Sequence, residues 1–301
     1  MTTQRWSLVQ YDADADADGA RGSKLGILAD GKVTRPPEQL DGLRLMDLLD
    51  RWDDLAPLLR DLDVSALEVV PDARLVAPLT YPRKILCAGA NYYSHASEMG
   101  TQRPDPEGEP FFFLKPPTTT VVGPHADVTL PGGPSDVDWE AELAVVIGRG
   151  GRKIAEDEAL SHVAGYAVAN DLSARGLFSR NDAVFPAFGW DWLRHKGLDG
   201  FCPLGPGVVP TWLVADPQNL TLRLSVNGET KQDSSTADMV VTVPRLIAQA
   251  SRVVTLEPGD VILTGTPAGV GMPRRTFLRA GDVVVTEIEG IGRLENRMVE
   301  T

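Results

Sequence analysis

An apolar strand carrying acids at alternate positions constrains this chain more than any other stretch. It is DWEAELAVVIG, Asp138 to Gly148. A strand alternates faces with period two, so Val137, Trp139, Ala141, Leu143 and Val145 share one face and Asp138, Glu140 and Glu142 the other. Glu140 and Glu142 then project into one space, roughly 6.5–7 Å apart along the strand. Like charges at that range repel, more so where water is scarce. Two readings resolve the conflict. The acidic face is wet, as one side of an antiparallel sheet often is. Otherwise a hard divalent cation takes the oxygens as ligands.

The rest of the chain narrows the class. Its 301 residues suffice for one large domain or two smaller ones. A formal charge of −13, from 29 basic and 42 acidic residues, argues against nucleic acid and anionic membranes as partners. The two cysteines, Cys87 and Cys202, are too few for a disulfide scaffold and fit a reducing compartment. The opening MTTQRWSLVQYDADADADGA shows no charged region followed by an apolar one, and no apolar run approaches membrane-spanning length. The expectation is a soluble cytoplasmic protein.

Strand signals dominate. Arg5–Tyr11 alternates, Asp12–Gly19 reads as an acidic loop, and Leu25–Leu28 runs into an Asp30–Gly31 turn. Leu45–Leu59 reads as one or two short helices, and Arg74–Pro82 as a connection into a second unit. Further strands are expected at Ile85–Ala88, Phe111–Leu114, Val163–Asn170, Leu220–Val226 with its Asn227–Gly228 hairpin turn, Val261–Thr264 and Val283–Ile288. Helices are expected from Glu156–Ser161 and over Val243–Arg252, the latter behind a capping Thr242. No β-α-β rhythm recurs. The pattern predicts a mixed α/β, β-rich core over residues 79–301 after a small N-terminal domain of residues 1–78.

Several segments carry chemistry. Gly148–Gly151 with Lys153 lacks the phosphate-loop pattern, and Gly265, Gly269 and Gly271 lack the dinucleotide spacing. Gly265–Thr266–Pro267 follows an apolar strand directly and suits a carboxylate. None of the four histidines sits in a zinc motif. His95 and Glu98 are three residues apart, so a short helix puts them on one face, as a surface pair or as a general base for water. Asp171 closes an apolar strand, as a cap for the next turn or as a ligand. Lys196 reads by default as a surface lysine.

Taken together, NYYSHASE (91–98), FFFLKPPTT (111–119), DWEAELAVVIG (138–148), GYAVANDLSAR (165–175), KGLDGFCPLGP (196–206) and LTGTPAGVG (263–271) resemble the fumarylacetoacetate hydrolase family in content, order and spacing. The resemblance covers about residues 80–300. It implies a β-roll-like core, commonly in a homodimer, around one Mg²⁺ or Mn²⁺, with Ca²⁺ as a third candidate, held by Glu140, Glu142 and Asp171. It makes His95 and Glu98 a water-activating pair on a short lid. Lys196 becomes the cation at a substrate oxygen. Thr266 becomes a contact to the substrate carboxylate, with Lys115, Arg175 and Tyr92 as further substrate-binding candidates.

The implied substrate is a small 2-oxo acid. The complete His95, Glu98 and Lys196 set favours hydrolytic C–C cleavage of a 2,4-dioxo acid in catabolism. Decarboxylation of an oxaloacetate-like acid, or isomerisation, runs through the same enolate and is the alternative. A non-catalytic metal-binding protein is the reading outside enzymology. One departure bears on the choice. Many members follow the Ser/Thr–Ala–Arg segment with Asp, an aliphatic residue and a glutamine linked to water placement; here the chain reads Gly176–Leu177–Phe178. Phe178, Phe185, Phe188, Trp190 and Trp192 then line either a pocket or an interface.

Overall fold

The computed structural model describes residues 5–12 and 22–301. Of the acidic repeat expected as a loop, only Asp12 is among them, and it closes a strand. The fold is mixed α/β and β-rich, as expected. Among the described residues the main sheet has eleven strands. The central run passes from Lys32–Thr34 through Ser23–Ala29, Trp6–Asp12, Cys202–Pro210, Val163–Asn170, Ala141–Ile147, Val261–Leu263 and Ile85–Gly89 to Phe111–Lys115. A second, five-stranded sheet contains Glu229–Ser235, Thr221–Val226, Val283–Ile288, Gly292–Val299 and Asp127–Thr129. Trp6–Asp12 pairs with Cys202–Pro210 through Leu8 and Val208, so one sheet runs on across residue 78.

The sequence alternation sorts the core into layers. Leu143, Val145 and Ile147 pack with Leu222, Leu224 and Val284 of the second sheet and with Val243 and Ile247 of a helix, Val243–Val253. Ala144 and Val146, on the opposite face, pack with Leu48, Leu49 and Leu59. The central strands are therefore covered on both sides, which explains why Val163–Asn170 is buried along its whole length. Glu140 and Glu142 share the parity of Ala144 and Val146. They lie on the face that the N-terminal residues cover further along, at the end where that cover stops.

Local signals were legible where the turn chemistry was strong. Asp30–Gly31 and Asn227–Gly228 both have positive φ at each residue, the conformation that tight hairpins demand. Three expectations differ. Leu45–Leu59 forms single turns, Leu45–Leu49, Trp52–Leu55 and Pro57–Arg60, the last two separated because Pro57 cannot continue the preceding ladder. The helix expected from Glu156 is only a 3₁₀ turn, Ala159–His162, because the strand at Val163 leaves no length for a nucleated α-helix. Thr242 stands at the helix N-terminus without a side-chain cap; the Val243 amide donates instead to Gln218 Oε1 at 3.0 Å. No helix among the described residues is long and apolar enough to cross a membrane.

Candidate active site

Glu140, Glu142 and Asp171 present ligand atoms within 4.8 Å of one another, all three residues buried. The wet-face reading is thereby overturned: Glu140 is 6% exposed and Glu142 1%. Backbone pairing brings them together. Ala141 pairs with Asn170, and the Asp171 amide donates to the Glu140 carbonyl at 2.8 Å. The strand itself breaks at Trp139–Glu140, where the Glu140 amide donates to the Asn170 side chain and the Ala141 amide to Gln232.

The cations are distributed unevenly. Lys196 Nζ lies 2.8 Å from Glu140 Oε2 and 2.6 Å from Asp171 Oδ2. Lys115 Nζ lies 2.5 Å from Asp171 Oδ1 and 3.1 Å from the Leu172 carbonyl. Arg175 donates to Asp138 at 3.0 Å and to Glu140 Oε1 at 2.6 Å. Burial alone would raise Glu140, but Lys196 and Arg175 outweigh it and hold its carboxyl well below the usual range. Glu142 goes the other way. Burial, then the charges of Asp171 and Glu140, push its carboxyl well above the usual range. Its oxygen accepts from the Gly265 amide at 2.6 Å.

That amide fixes one backbone requirement. Gly265 has φ +90, and a Cβ there would sit 2.8 Å from Asn91 Cβ. Gly265→Ala is expected to cost about 1–3 kcal/mol through strain, measured as a lower unfolding midpoint in denaturant. An unchanged midpoint would show that the loop relaxes freely.

The short helix Tyr93–Glu98 places His95 and Glu98 on one face. His95 Nδ1 is 3.6 Å from Glu98 Oε2, just outside hydrogen-bond distance, and the nitrogen is buried without another partner. Glu98 accepts from the Gly269 amide at 3.1 Å and faces Arg274 at 3.4 Å. Burial raises its carboxyl, but His95 and Gly269 outweigh that and lower it. Thr266 donates to the Ala141 carbonyl and receives Gln232, each at 2.9 Å.

These groups meet at a cavity of about 300 Å³ whose wall includes His95, Glu140, Glu142, Asp171, Arg175, Lys196 and Thr266. Lys115 and Tyr92 are not in that wall: the Lys115 ammonium is spent on Asp171, and Tyr92 is packed in the core. A wider groove of about 580 Å³, bordered by Asp136, Lys231, Arg275 and Asp282, lies elsewhere. Among the described residues the only carboxylate cluster of ligand geometry is at the smaller cavity. The aromatic segment divides. Phe178 and Trp192 line the cavity, whereas Phe185, Phe188 and Trp190 do not and are 57–61% exposed.

Sequence reasoning gave no role to three further contributors. Asp138 receives Arg175 and the Gly271 and Met272 amides. Gln232 clamps Ala141, Thr266 and Pro267. His195 is buried and lines the cavity. Only Asp138 carried a signal, its place on the acidic face; contacts across the fold from Gln232 and His195 have no local signature.

The donor set fits a hard divalent cation. All three candidate ligands are carboxylates, which favours Mg²⁺, Mn²⁺ or Ca²⁺ over softer metals. Glu142 is the member whose charge the surrounding cations leave uncompensated, and a metal would supply what it lacks.

The chain matches the family model "Fumarylacetoacetate (FAA) hydrolase C-terminal" over residues 84–299. It is 46% identical over 227 residues to oxaloacetate tautomerase fahd2, mitochondrial, of Xenopus laevis, covering 75% of this chain and 68% of the relative. Against oxaloacetate tautomerase FAHD2B, mitochondrial, of Homo sapiens it is 42% identical over 259 residues, 85% and 79% of the two. Among solved structures, the fumarylacetoacetate hydrolase of Exiguobacterium antarcticum superposes with a TM-score of 0.82 at 34% identity, covering 98% of this chain and 100% of that one. Maleylpyruvate hydrolase from Sphingobium sp. SYK-6, in complex with manganese(II) and pyruvate, gives 0.75 at 29% identity over 98% and 99%.

Proposed function

The chain belongs to the fumarylacetoacetate hydrolase family, and from that premise we propose that it interconverts the enol and keto forms of a small 2-oxo acid, as an oxaloacetate-type tautomerase. This moves the emphasis from the hydrolysis favoured by sequence to its isomerase alternative. The observation that carries it is Phe178 in the cavity wall, where hydrolytic relatives are expected to carry a water-placing glutamine. The relatives named as oxaloacetate tautomerases, at 46% and 42% identity, point the same way. Tautomerisation consumes no water, so it needs no group to aim one.

Glu140, Glu142 and Asp171 would hold Mg²⁺ or Mn²⁺. A divalent cation there supplies Lewis acidity, which acidifies the carbon beside the ketone. His95 takes the proton from that carbon and returns one in the reverse direction. Glu98 stabilises the imidazolium that forms. Lys196 brings a positive charge to where the enolate oxygen develops, and Arg175 holds Glu140 in register. Lys115 acts through Asp171, fixing that carboxylate's rotamer.

The test follows the ultraviolet band of enol-oxaloacetate with Mg²⁺ or Mn²⁺. Wild type is expected to accelerate its decay, and His95→Ala to lose roughly 10²–10⁴-fold of that acceleration. Unchanged turnover in His95→Ala would sink this mechanism, and a wild type that accelerates nothing would favour the non-catalytic metal-binding reading. Hydrolysis is the second reading, kept by the His95–Glu98 pair and by the manganese and pyruvate of the Sphingobium hydrolase. It requires acylpyruvates to yield pyruvate plus a second acid faster than enol-oxaloacetate is converted. We also propose a homodimer, supported by exposed Val184, Phe185, Phe188 and Trp190; light scattering that reads a monomer at micromolar concentrations would remove it.

A further inference from the structure

The cavity has two unlike halves. One is the carboxylate cluster with its cations. The other is aromatic: Phe178, Trp192, Phe113 and Phe111, with Met99 at the side. These rings are fixed against one another. Phe113 stacks on Trp192 at 4.8 Å between centroids, Phe111 lies 5.2 Å from Trp192, and Phe178 meets Trp192 edge-on at 5.0 Å. Trp192 begins a helical turn capped by Asp191, whose carboxylate accepts from the Arg194 amide at 3.0 Å. The rings therefore form one continuous apolar wall. At about 300 Å³ the cavity reaches the range that encloses a drug-sized ligand, more than a four-carbon acid fills.

The charge balance leaves room for one carboxylate. Asp138, Glu140, Glu142 and Asp171 are four acids; Lys115, Arg175 and Lys196 are three cations, paired with all of them but Glu142. With a divalent cation added, the cluster carries one net positive charge. A 2-oxo monocarboxylate neutralises it, whereas a dicarboxylate leaves one negative charge uncompensated beside the rings, at a desolvation cost. On the aromatic side the Lys196 ammonium lies 5.3 Å from the Phe113 ring centroid, and it is already counted in that balance. His195 donates from Nδ1 to the Ala174 carbonyl at 3.1 Å, so its Nε2 is an acceptor, 3.5 Å from Arg175 NH1. Burial, Lys196 and Arg175 depress its imidazole to about 3, and it stays neutral. Arg175 has its Nε and NH2 committed to Asp138 and Glu140.

We infer that the aromatic half is a subsite for an aryl ring, so that the preferred substrate is a 2-oxo monocarboxylate with an aryl group on C3. The inference rests on the tautomerase reading for its chemistry, which is unchanged: the proton on C3 moves to the ketone oxygen, no bond to carbon other than C–H breaks, and an aryl group makes that proton more acidic.

Calorimetry on the Mg²⁺-loaded protein with phenylpyruvate, oxaloacetate and pyruvate reads binding, and the ultraviolet enol bands of phenylpyruvate and oxaloacetate read conversion. Phenylpyruvate is expected to bind at least about tenfold more tightly than oxaloacetate, equivalent to about 1.4 kcal/mol. Phe178→Gln is expected to weaken phenylpyruvate about fivefold or more while pyruvate changes less than twofold. Oxaloacetate binding as tightly as phenylpyruvate overturns the aryl subsite and leaves the tautomerase reading intact if oxaloacetate is converted. Tight phenylpyruvate binding with no conversion of either acid does the reverse. The wild-type comparison alone decides the inference should Phe178→Gln fail to fold.

Discussion

Titrated with Mg²⁺ or Mn²⁺, Glu142→Gln is expected to bind at least about 100-fold more weakly than wild type, since even loss of an outer-shell partner costs 10–100-fold. The same variant should reverse a stability difference. In the metal-free protein, burial and the charges of Asp171 and Glu140 raise the Glu142 carboxyl. A carboxyl whose folded value is raised removes stability as pH climbs above its unfolded value of 4.5. His195, depressed to about 3 from 6.5, contributes the opposite slope, its stability being lost as pH falls below 6.5. Above that value its contribution is flat. Above 4.5 the raised Glu142 carboxyl should therefore lower the stability of metal-free wild type as pH rises, and metal-free Glu142→Gln, which keeps the His195 slope, should lack that loss. The glutamine carbonyl can still accept from Gly265, and its amide faces the acids without repulsion. Metal at 100 times its dissociation constant should add about 2.7 kcal/mol to wild type and almost nothing to the variant. Equal metal-induced shifts in the two proteins would remove Glu142 from the ligand set.

How much of this was legible depended on whether the signal was local. The face shared by Glu140 and Glu142 follows from strand period alone, and the structure keeps it although the strand breaks at Trp139. The strand Val163–Asn170 and the two hairpin turns were likewise written in short-range chemistry. Asp171 could not be assigned from the residues alone, because a cap and a ligand look identical until the pairing of Ala141 with Asn170 is known. The family resemblance supplied that step. Lys115 shows the limit of such a transfer: the motif marks the residue, yet only the fold shows its ammonium on Asp171 and Leu172. Gln232 lies 91 residues from Ala141, whose amide it receives, and no window along the chain contains both. The short helices failed for a different reason. Helical periodicity at Leu45–Leu59 reports which side chains are buried, while Pro57 and nucleation decide whether the turns join.

Lys196→Met is the substitution for which affinity and activity should move in opposite directions. Its ammonium contacts Glu140 Oε2 and Asp171 Oδ2, two of the carboxylates proposed to hold the metal. Burial would neutralise the lysine, but Asp171 and Glu140 outweigh it and raise its value, so it stays charged. Methionine matches the stem and removes the charge. Without metal, two buried carboxylates lose a partner, a change that costs about 3–5 kcal/mol when a buried pair is broken. Lys115 and Arg175 still compensate in part, which places the expected loss at the lower end. With metal, the freed oxygens and the missing positive charge should make divalent binding tighter than in wild type and recover most of that stability. Turnover should not recover. The donor proposed for the developing enolate oxygen is gone, and loss of one such donor lowers kcat by roughly 10²–10³. A merely structural lysine would behave differently, with saturating metal restoring stability and turnover together. Measuring the metal dissociation constant, unfolding midpoint and kcat on one preparation separates the two roles, and full recovery of kcat at saturating Mg²⁺ or Mn²⁺ would take Lys196 out of the chemistry.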